Sequence, residues 1–466
     1  MPANKIMRKQ IIGIIIFMLV LAGIIAWFQH AASGVGFFVA LIGAVKVIVI
    51  VAFILLLIYY PFIKLIQYIW KKRSAKLDLQ HNQQAKAINR FIKNGNALIG
   101  SITIFYAILL ALFAHLIAPD ITPYANDQIN ELPFKEPGYT TMILQQPLEL
   151  KPEKTGFIQW LLNGKKVDYR QIPITDYTVV GDSLIVERYI GDGIAGRELH
   201  FLLADITGEK LTPDENRKII EADWIHQRKF ILGTDDLGRD YLSRILLGIR
   251  VSLSVGVVAV LIALFIGIPL GALAGFYKQY PPFIQLKKRK KLFFPVDGAI
   301  MWLINIVWAI PTLLLVFPIV FAFGQNFYTI FIAVGITMWV DIARIVRGQV
   351  LQIREQEFIQ AAKTFGFSDV RTIFRHILPN ITGPVIVITA ANFAYAILTE
   401  AGLSFLGIGV QPPAPSWGLM ISKYKDNLIT EPYLALIPGF AITILVLAFF
   451  MIGNGLRDAL DIKSRL

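Results

Sequence analysis

Four ionisable side chains, Lys46, His115, Asp341 and Glu400, sit in or beside long apolar runs. Such groups mark a proton relay or a subunit contact, because a charge near a bilayer centre costs roughly 2.5–3.5 kcal/mol on insertion scales. Lys46 lies near the middle of its run and reads as a functional residue or a subunit contact. Asp341 and Glu400 fall near run ends, where charge is cheap, and His115 reads as an interfacial residue. A second constellation is apolar. Phe358, Ala361, Ala362 and Phe365 recur at i, i+3, i+4 and i+7, which predicts one apolar face on a short helix. Gly366 interrupts it with an expected positive φ, and Ser368 is placed to cap a second helix. Val370, Ile373, Phe374, Ile377 and Leu378 repeat the spacing until Pro379, where the helix is expected to stop. Two such helices outside a bilayer must cover their apolar faces, against their own bundle, the lipid interface or another protein.

Other chemistries are excluded. The chain has no cysteine, so it holds no disulfide, thiolate nucleophile or Cys-ligated metal. Its six histidines form no HExxH pair, and no catalytic residue or metal ligand is assigned. No GxxxxGK[ST] run is present, so the chain has no P-loop to cradle nucleotide phosphates.

The elements that position these residues are membrane spans. Of 466 residues, 55% are apolar and 17% charged, and the mean hydropathy is +0.59. A soluble enzyme carries about a quarter charged residues. Eight apolar runs are long enough to cross: Gln10–Trp27, Gly36–Tyr60, Ala97–Ala118, Val251–Phe276, Ala299–Phe323, Phe327–Val346, Thr382–Phe405 and Leu434–Ile452. The first could instead be a signal peptide. The net charge of +13 is concentrated in alternate loops, notably Lys287–Lys291, which predicts both termini on the cytoplasmic side. That distribution suits a lipid-bound chain and gives no reason to expect nucleic acid. Arg239, Arg244 and Arg250 run against the pattern, on the outer side.

Within the spans, Ala263, Gly267, Gly271 and Gly275 form a stripe of small residues spaced by four, for close helix packing or a translocation path. Pro269, Pro311 and Pro318 each remove a backbone hydrogen bond and are expected to bend their helices. The polar stretch Pro119–Asp240 predicts a small extracytoplasmic α+β insertion. In it Val179–Ile190 reads as two strands about a Gly-Asp turn, and Asp214–Trp224 as a short helix.

At QAAKTFG and RHILPN the chain resembles the EAA loop of permease subunits in binding-protein-dependent ABC importers. Leu232–Gly256, Glu400–Gly418 and Gly453–Asp461 are similar to the C-type permease of the dipeptide, oligopeptide and nickel group. The resemblance covers Ala97–Ala118 and Leu232–Leu466. It implies an all-α polytopic type I bundle in a bacterial cytoplasmic membrane: a six-span core behind two extra N-terminal spans. By segment, 1–96 holds the extra spans and a basic loop, 97–118 the first core span and 119–231 the insertion; 232–466 holds five core spans, with the coupling loop at 350–380.

The resemblance also implies partners: a homologous permease, two ATPases carrying ATP and magnesium, and an external solute-binding protein. This chain itself would bind no cofactor. The ATPases would grip Phe358, Gln360, Ala361, Ala362, Phe365, Gly366, Arg371, His376, Leu378 and Pro379. Gln360 stands where the family has Glu, and Asn454 and Ile462 replace an expected Asp and Pro. The implied cargo is a peptide or similar small solute. Two rival readings are a proton-coupled secondary transporter using Asp341, Glu400 and His115, and a membrane-anchored interaction protein led by its outer domain.

Overall fold

A computed structural model describes residues 83–148, 155–194, 196–207, 212–278, 283–286, 290–293 and 295–460. The two N-terminal apolar runs, Lys46 and the Lys287–Arg289 part of the basic block lie outside the described residues.

The amphipathic helix α1 (Gln83–Lys93) precedes α2 (Gly95–Leu112), whose first turn is capped by Asn94: its side chain accepts from the Asn96 and Ala97 amides. After the single turn α3 (Ala114–Ile117) the chain leaves the bundle. There it builds a five-stranded antiparallel sheet from β1 (Tyr139–Pro147), β2 (Tyr169–Val180), β3 (Ser183–Arg188), β4 (Glu198–Leu202) and β5 (Ile225–Phe230). The strand order is β4-β3-β2-β1-β5. Gly181, at φ +58°, and Asp182 turn β2 into β3, where the sequence predicts a hairpin. Helices α4 (Phe157–Asn163), α5 (Leu203–Thr207) and α6 (Pro213–Ile219) interrupt the strands, and a π turn at Ile220–Trp224 continues α6. Leu144, Ile174, Leu184, Val186 and Ile220 pack a core separate from that of the bundle.

The bundle resumes with α7 (Tyr241–Phe276), 36 residues capped by the Asp240 carboxylate on the Ser243 amide. At 1.5 Å per residue it is about 54 Å long, well beyond a bilayer core of ~30 Å. Its first ten residues lie outside the predicted apolar run; they form a polar-anchored extension toward the sheet. Pro269 lies within this helix without ending it. After the short hairpin β6 (Phe283–Leu286) and β7 (Lys290–Phe293), the predicted span Ala299–Phe323 is two helices. These are α8 (Val296–Ala309) and α9 (Thr312–Phe323), bent by 92° with Pro311 at the break. Next come α10 (Phe327–Ile353), α11 (Glu357–Thr364), α12 (Asp369–Thr372), α13 (Thr382–Phe405), α14 (Trp417–Tyr424) and α15 (Tyr433–Leu460).

Among the described residues five helical segments are long and apolar enough to cross a membrane, and the bent α8–α9 pair qualifies if it is one span. The main core joins α7, α10 and α13 through Val255, Ala259, Val334, Ile342, Ala343, Ala396 and Leu403. A second core joins α2, α7, α14 and α15.

Candidate coupling surface and the seam behind it

The segment after α10 is tied to the end of α7 first by Arg354. Arg354 Nη1 donates to the carbonyls of Gly275 at 3.0 Å and Phe276 at 3.3 Å. These belong to the last turn of α7, whose carbonyls lack helical partners and carry partial negative charge. Gln360 Nε2 in turn donates to the Arg354 carbonyl at 3.1 Å, so the amide at this position fixes the turn between α10 and α11. Tyr277 donates to Asp369 Oδ2 at 3.0 Å, tying the next helix to the same end of α7. The Lys363 ammonium lies 5.0 Å from the centre of the Phe276 ring, and burial lowers its pKa.

Gly366 has φ +75°. The Phe367 amide bonds to the Ala362 carbonyl at 3.1 Å and the Gly366 amide to that of Lys363 at 2.9 Å, a Schellman closure of α11. Ser368 Oγ accepts from the Arg371 amide and starts α12. Across the turn, the Arg371 guanidinium lies 4.2 Å from the Phe367 ring centre, and His376 stacks on that ring at 5.6 Å and 20°. The two short helices are thereby held at a fixed angle.

The apolar faces are divided differently from the predicted periodicity. Ile359, Ala362, Ile373 and Ile377 are buried against the bundle, while Phe358, Ala361, Phe365, Val370 and Phe374 are exposed, Phe365 by 79%. Helix α11 therefore carries apolar side chains on two sides. One packs inward, and the other has no cover among the described residues. Pro379 does not stop the chain's helical path either. A π turn at Ile373–Ile377 and a 3-10 turn at Leu378–Ile381 lead directly into α13. Proline is tolerated there because it stands in the first turn, where its missing N–H has no partner to lose. Leu378 is half-buried and Pro379 exposed.

Behind this surface, Gly267, Gly271 and Gly275 lie against α10. A Cβ on Gly271 would come 2.4 Å from the Ala343 carbonyl oxygen; on Gly267 or Gly275 it would come 2.7 Å from that of Trp339 or 2.8 Å from that of Arg347. The two helices meet backbone to backbone, so the stripe is a packing seam here.

Glu400 is fully buried within the chain, and its Oε1 accepts from Ser404 Oγ at 2.7 Å. The run of apolar residues around it carries no sign that α13 turns this position inward.

The three arginines that run against the charge pattern are structural. Asp235, fully buried, accepts from Arg239 Nε at 2.7 Å and lies 3.5 Å from Arg244 Nε. Asp240 accepts from Ser243 Oγ, and Ser243 Oγ accepts the Asp120 amide at 2.9 Å, which joins the entry and exit of the sheet domain. Arg250 donates to the carbonyls of Ala111 and Leu112 and to those of Leu161 and Leu162, closing α2 and α4 together. His115 is buried beside it. In the sequence these arginines read only as charges; the nearby Asp235 and Asp240 are the available signal of internal pairing.

Residues 267–465 match the model of the family described as binding-protein-dependent transport system inner membrane component. Over 234 residues the chain is 38% identical to the glutathione transport system permease protein GsiD of Pectobacterium atrosepticum, covering 50% of this chain and 73% of that protein. The chain belongs to this inner-membrane component family. The permease is also 42% identical over 233 residues to the dipeptide transport system permease protein DppC of Alkalihalophilus pseudofirmus, covering 50% and 72% of the two chains. Against the oligopeptide transport system permease protein OppC of Bacillus subtilis the figures are 38% over 247 residues, 53% and 76%. Among solved structures, the MetNI methionine ABC transporter in inward-facing form is 16% identical with a TM-score of 0.36, covering 46% of this permease and 96% of that chain. The seam, the turn at Gly366 and α13 all fall within the family match.

Proposed function

We propose that this permease forms half of the membrane pathway of an ATP-driven importer for peptides or a similar small solute. A homologous permease supplies the other half, two separate ATPases bind at 350–380, and an external protein delivers the solute. In this reading eight spans cross the cytoplasmic membrane with both termini inside. The sheet domain then stands outside, where it modulates docking of the delivery protein. The observation that carries the reading is the exposed patch of Phe358, Phe365, Val370 and Phe374, presented on two helices whose angle is fixed by Gly366 and by the Arg371–Phe367–His376 stack. Large apolar side chains grouped on a rigid polar-anchored projection are what a partner's cleft takes up.

The test is co-purification of the ATPase with the wild-type permease and with a Phe365→Asp/Phe374→Asp double variant. Wild type should retain the ATPase, and the variant should insert normally yet lose it. Retention by a properly inserted variant overturns the assignment. Cysteine placed at Ser183 should react with an impermeant reagent from outside, and one at Thr364 should not.

A further inference from the structure

At the sheet end of the bundle lies a cavity of about 860 Å³. Its walls come from α4, from α7 near Arg250 and Ser254, and from the segments at 325–328 and 411–415. The charged and titratable side chains that line it are His115, Lys166 and Arg250, together with two tyrosines; among the described residues no carboxylate lines it. Gln159 and Asn163 add neutral donors. Among the described residues Arg250 forms no ion pair. Its five hydrogen-bond contacts are four backbone carbonyls and His115, so its positive charge is hydrogen-bonded without being neutralised. Lys166 is exposed and has no ion pair among the described residues either.

His115 supplies an independent observation. His115 Nδ1 lies 3.0 Å from Arg250 Nη1 and 3.3 Å from the Leu161 carbonyl oxygen, so this nitrogen is engaged in either tautomer. His115 is 2% exposed, and its Nε2 is buried without a partner among the described residues. A buried ring nitrogen without a partner is uncommon in a folded chain. Asp120, whose charge reaches His115, is bonded to the amides of Thr122 and Asp127.

We propose that this cavity is a carboxylate-binding chamber, in which Lys166, Arg250 and His115 hold the terminal carboxylate of a short peptide at the mouth of the pathway. Peptide backbone groups then meet Gln159, Asn163 and Ser254. The proposal rests on the importer reading and names the part of the solute that this chain recognises. Because α4 and Lys166 belong to the sheet domain, that domain forms one wall of the chamber.

The experiment uses the full permease complex with its ATPase, without the delivery protein, in discs of phosphatidylcholine. Binding of dialanine is compared with that of its C-terminal amide by calorimetry. Wild type should bind the free acid about tenfold more tightly than the amide, as a charge-assisted contact requires. Lys166→Glu should abolish the preference, Lys166→Gln should reduce it, and Lys166→Arg should keep it. Equal binding of acid and amide by wild type, or an undiminished preference in Lys166→Glu, overturns the proposal. If adding phosphatidylglycerol to the discs displaces dialanine, a lipid phosphate is the occupant and the proposal falls. Co-purification of the ATPase with wild type tests the importer reading separately. An intact complex with no carboxylate preference counts against the chamber alone.

Discussion

Arg347 and Asp297 form a two-pronged ion pair, with Nε to Oδ1 at 2.6 Å and Nη2 to Oδ2 at 2.9 Å. It joins the last third of α10 to the first turn of α8, where a carboxylate also faces the positive end of its helix. The fork geometry is specific to a guanidinium. Arg347→Ala should lower stability by about 3 kcal/mol, since it strands a largely buried carboxylate. Arg347→Lys should recover only part of that. Thermal unfolding of the solubilised permease measures both, and equal stability of Lys and Arg forms would refute the fork.

Gly366 is the residue on which the angle between α11 and α12 turns. A Cβ there meets nothing within 4 Å, so the cost of a side chain is conformational alone. Gly366→Val should therefore cost roughly 1–2 kcal/mol locally, by opposing the positive φ, and detach the ATPase while leaving insertion intact. Gly366→Asn tolerates that backbone and should keep the ATPase attached. Co-purification distinguishes them; loss with both variants would mean that the bare glycine surface, not its φ, is required.

Replacing Gly271 by alanine is a severe change despite its size. The added methyl would stand 2.4 Å from the Ala343 carbonyl and 2.8 Å from Val346 Cβ. Separation of α7 from α10 should lower stability by about 1–3 kcal/mol, as overpacking does. Gly348, on the same α10, has open space where its Cβ would be, and Gly348→Ala should stabilise by up to about 1 kcal/mol. The two variants should shift thermal unfolding in opposite directions; a shared direction would contradict the seam.

The sheet domain carries its own pH signature. Tyr189 donates to Asp192 Oδ1 and lies 2.6 Å from Lys135 Nζ. Burial, reinforced by the bond to Asp192, pushes the Tyr189 phenol up to about 12. A raised folded-state pKa means its stabilisation is present below the ordinary phenol value near 10 and is lost as pH rises toward 12. Asp192 shifts the other way. The Tyr189 hydroxyl and then Lys135 hold its carboxyl below the usual range, so that contribution fades as pH falls through it. In ultraviolet phenolate titration the late-ionising component should shrink by one tyrosine in Tyr189→Phe, with a loss of about 1 kcal/mol in stability. An unchanged titration would remove Tyr189 from this role.

Legibility from sequence followed the range of the interactions. Thr382–Phe405 is an uninterrupted apolar run and is one helix with those bounds. The polar ends of α7 and α10 were not legible, because Tyr241–Arg250 and Arg347–Ile353 continue their helices past the apolar stretch through side-chain bonds rather than hydropathy. Only the β2–β3 hairpin of the sheet announced itself, since its turn is local. The pairing of β1 with β5 brings Tyr139 to Phe230, and nothing in either segment names its distant partner. In the coupling segment the period of the apolar residues was visible. Which of them face inward was decided by Arg354 and Gln360, whose partners are backbone carbonyls and leave no pattern in the sequence.

The glycine seam also has a mechanical meaning. With Gly267, Gly271 and Gly275 in backbone contact with α10 over about two turns, sliding or prising these helices apart would break that close backbone packing. They form a single stiff strut, clamped at one end by Arg354 on Gly275 and braced at the other by Asp235 with its two arginines. Any change of shape that keeps this strut intact has to be taken up by other elements, of which the 92° break at Pro311 between α8 and α9 is one.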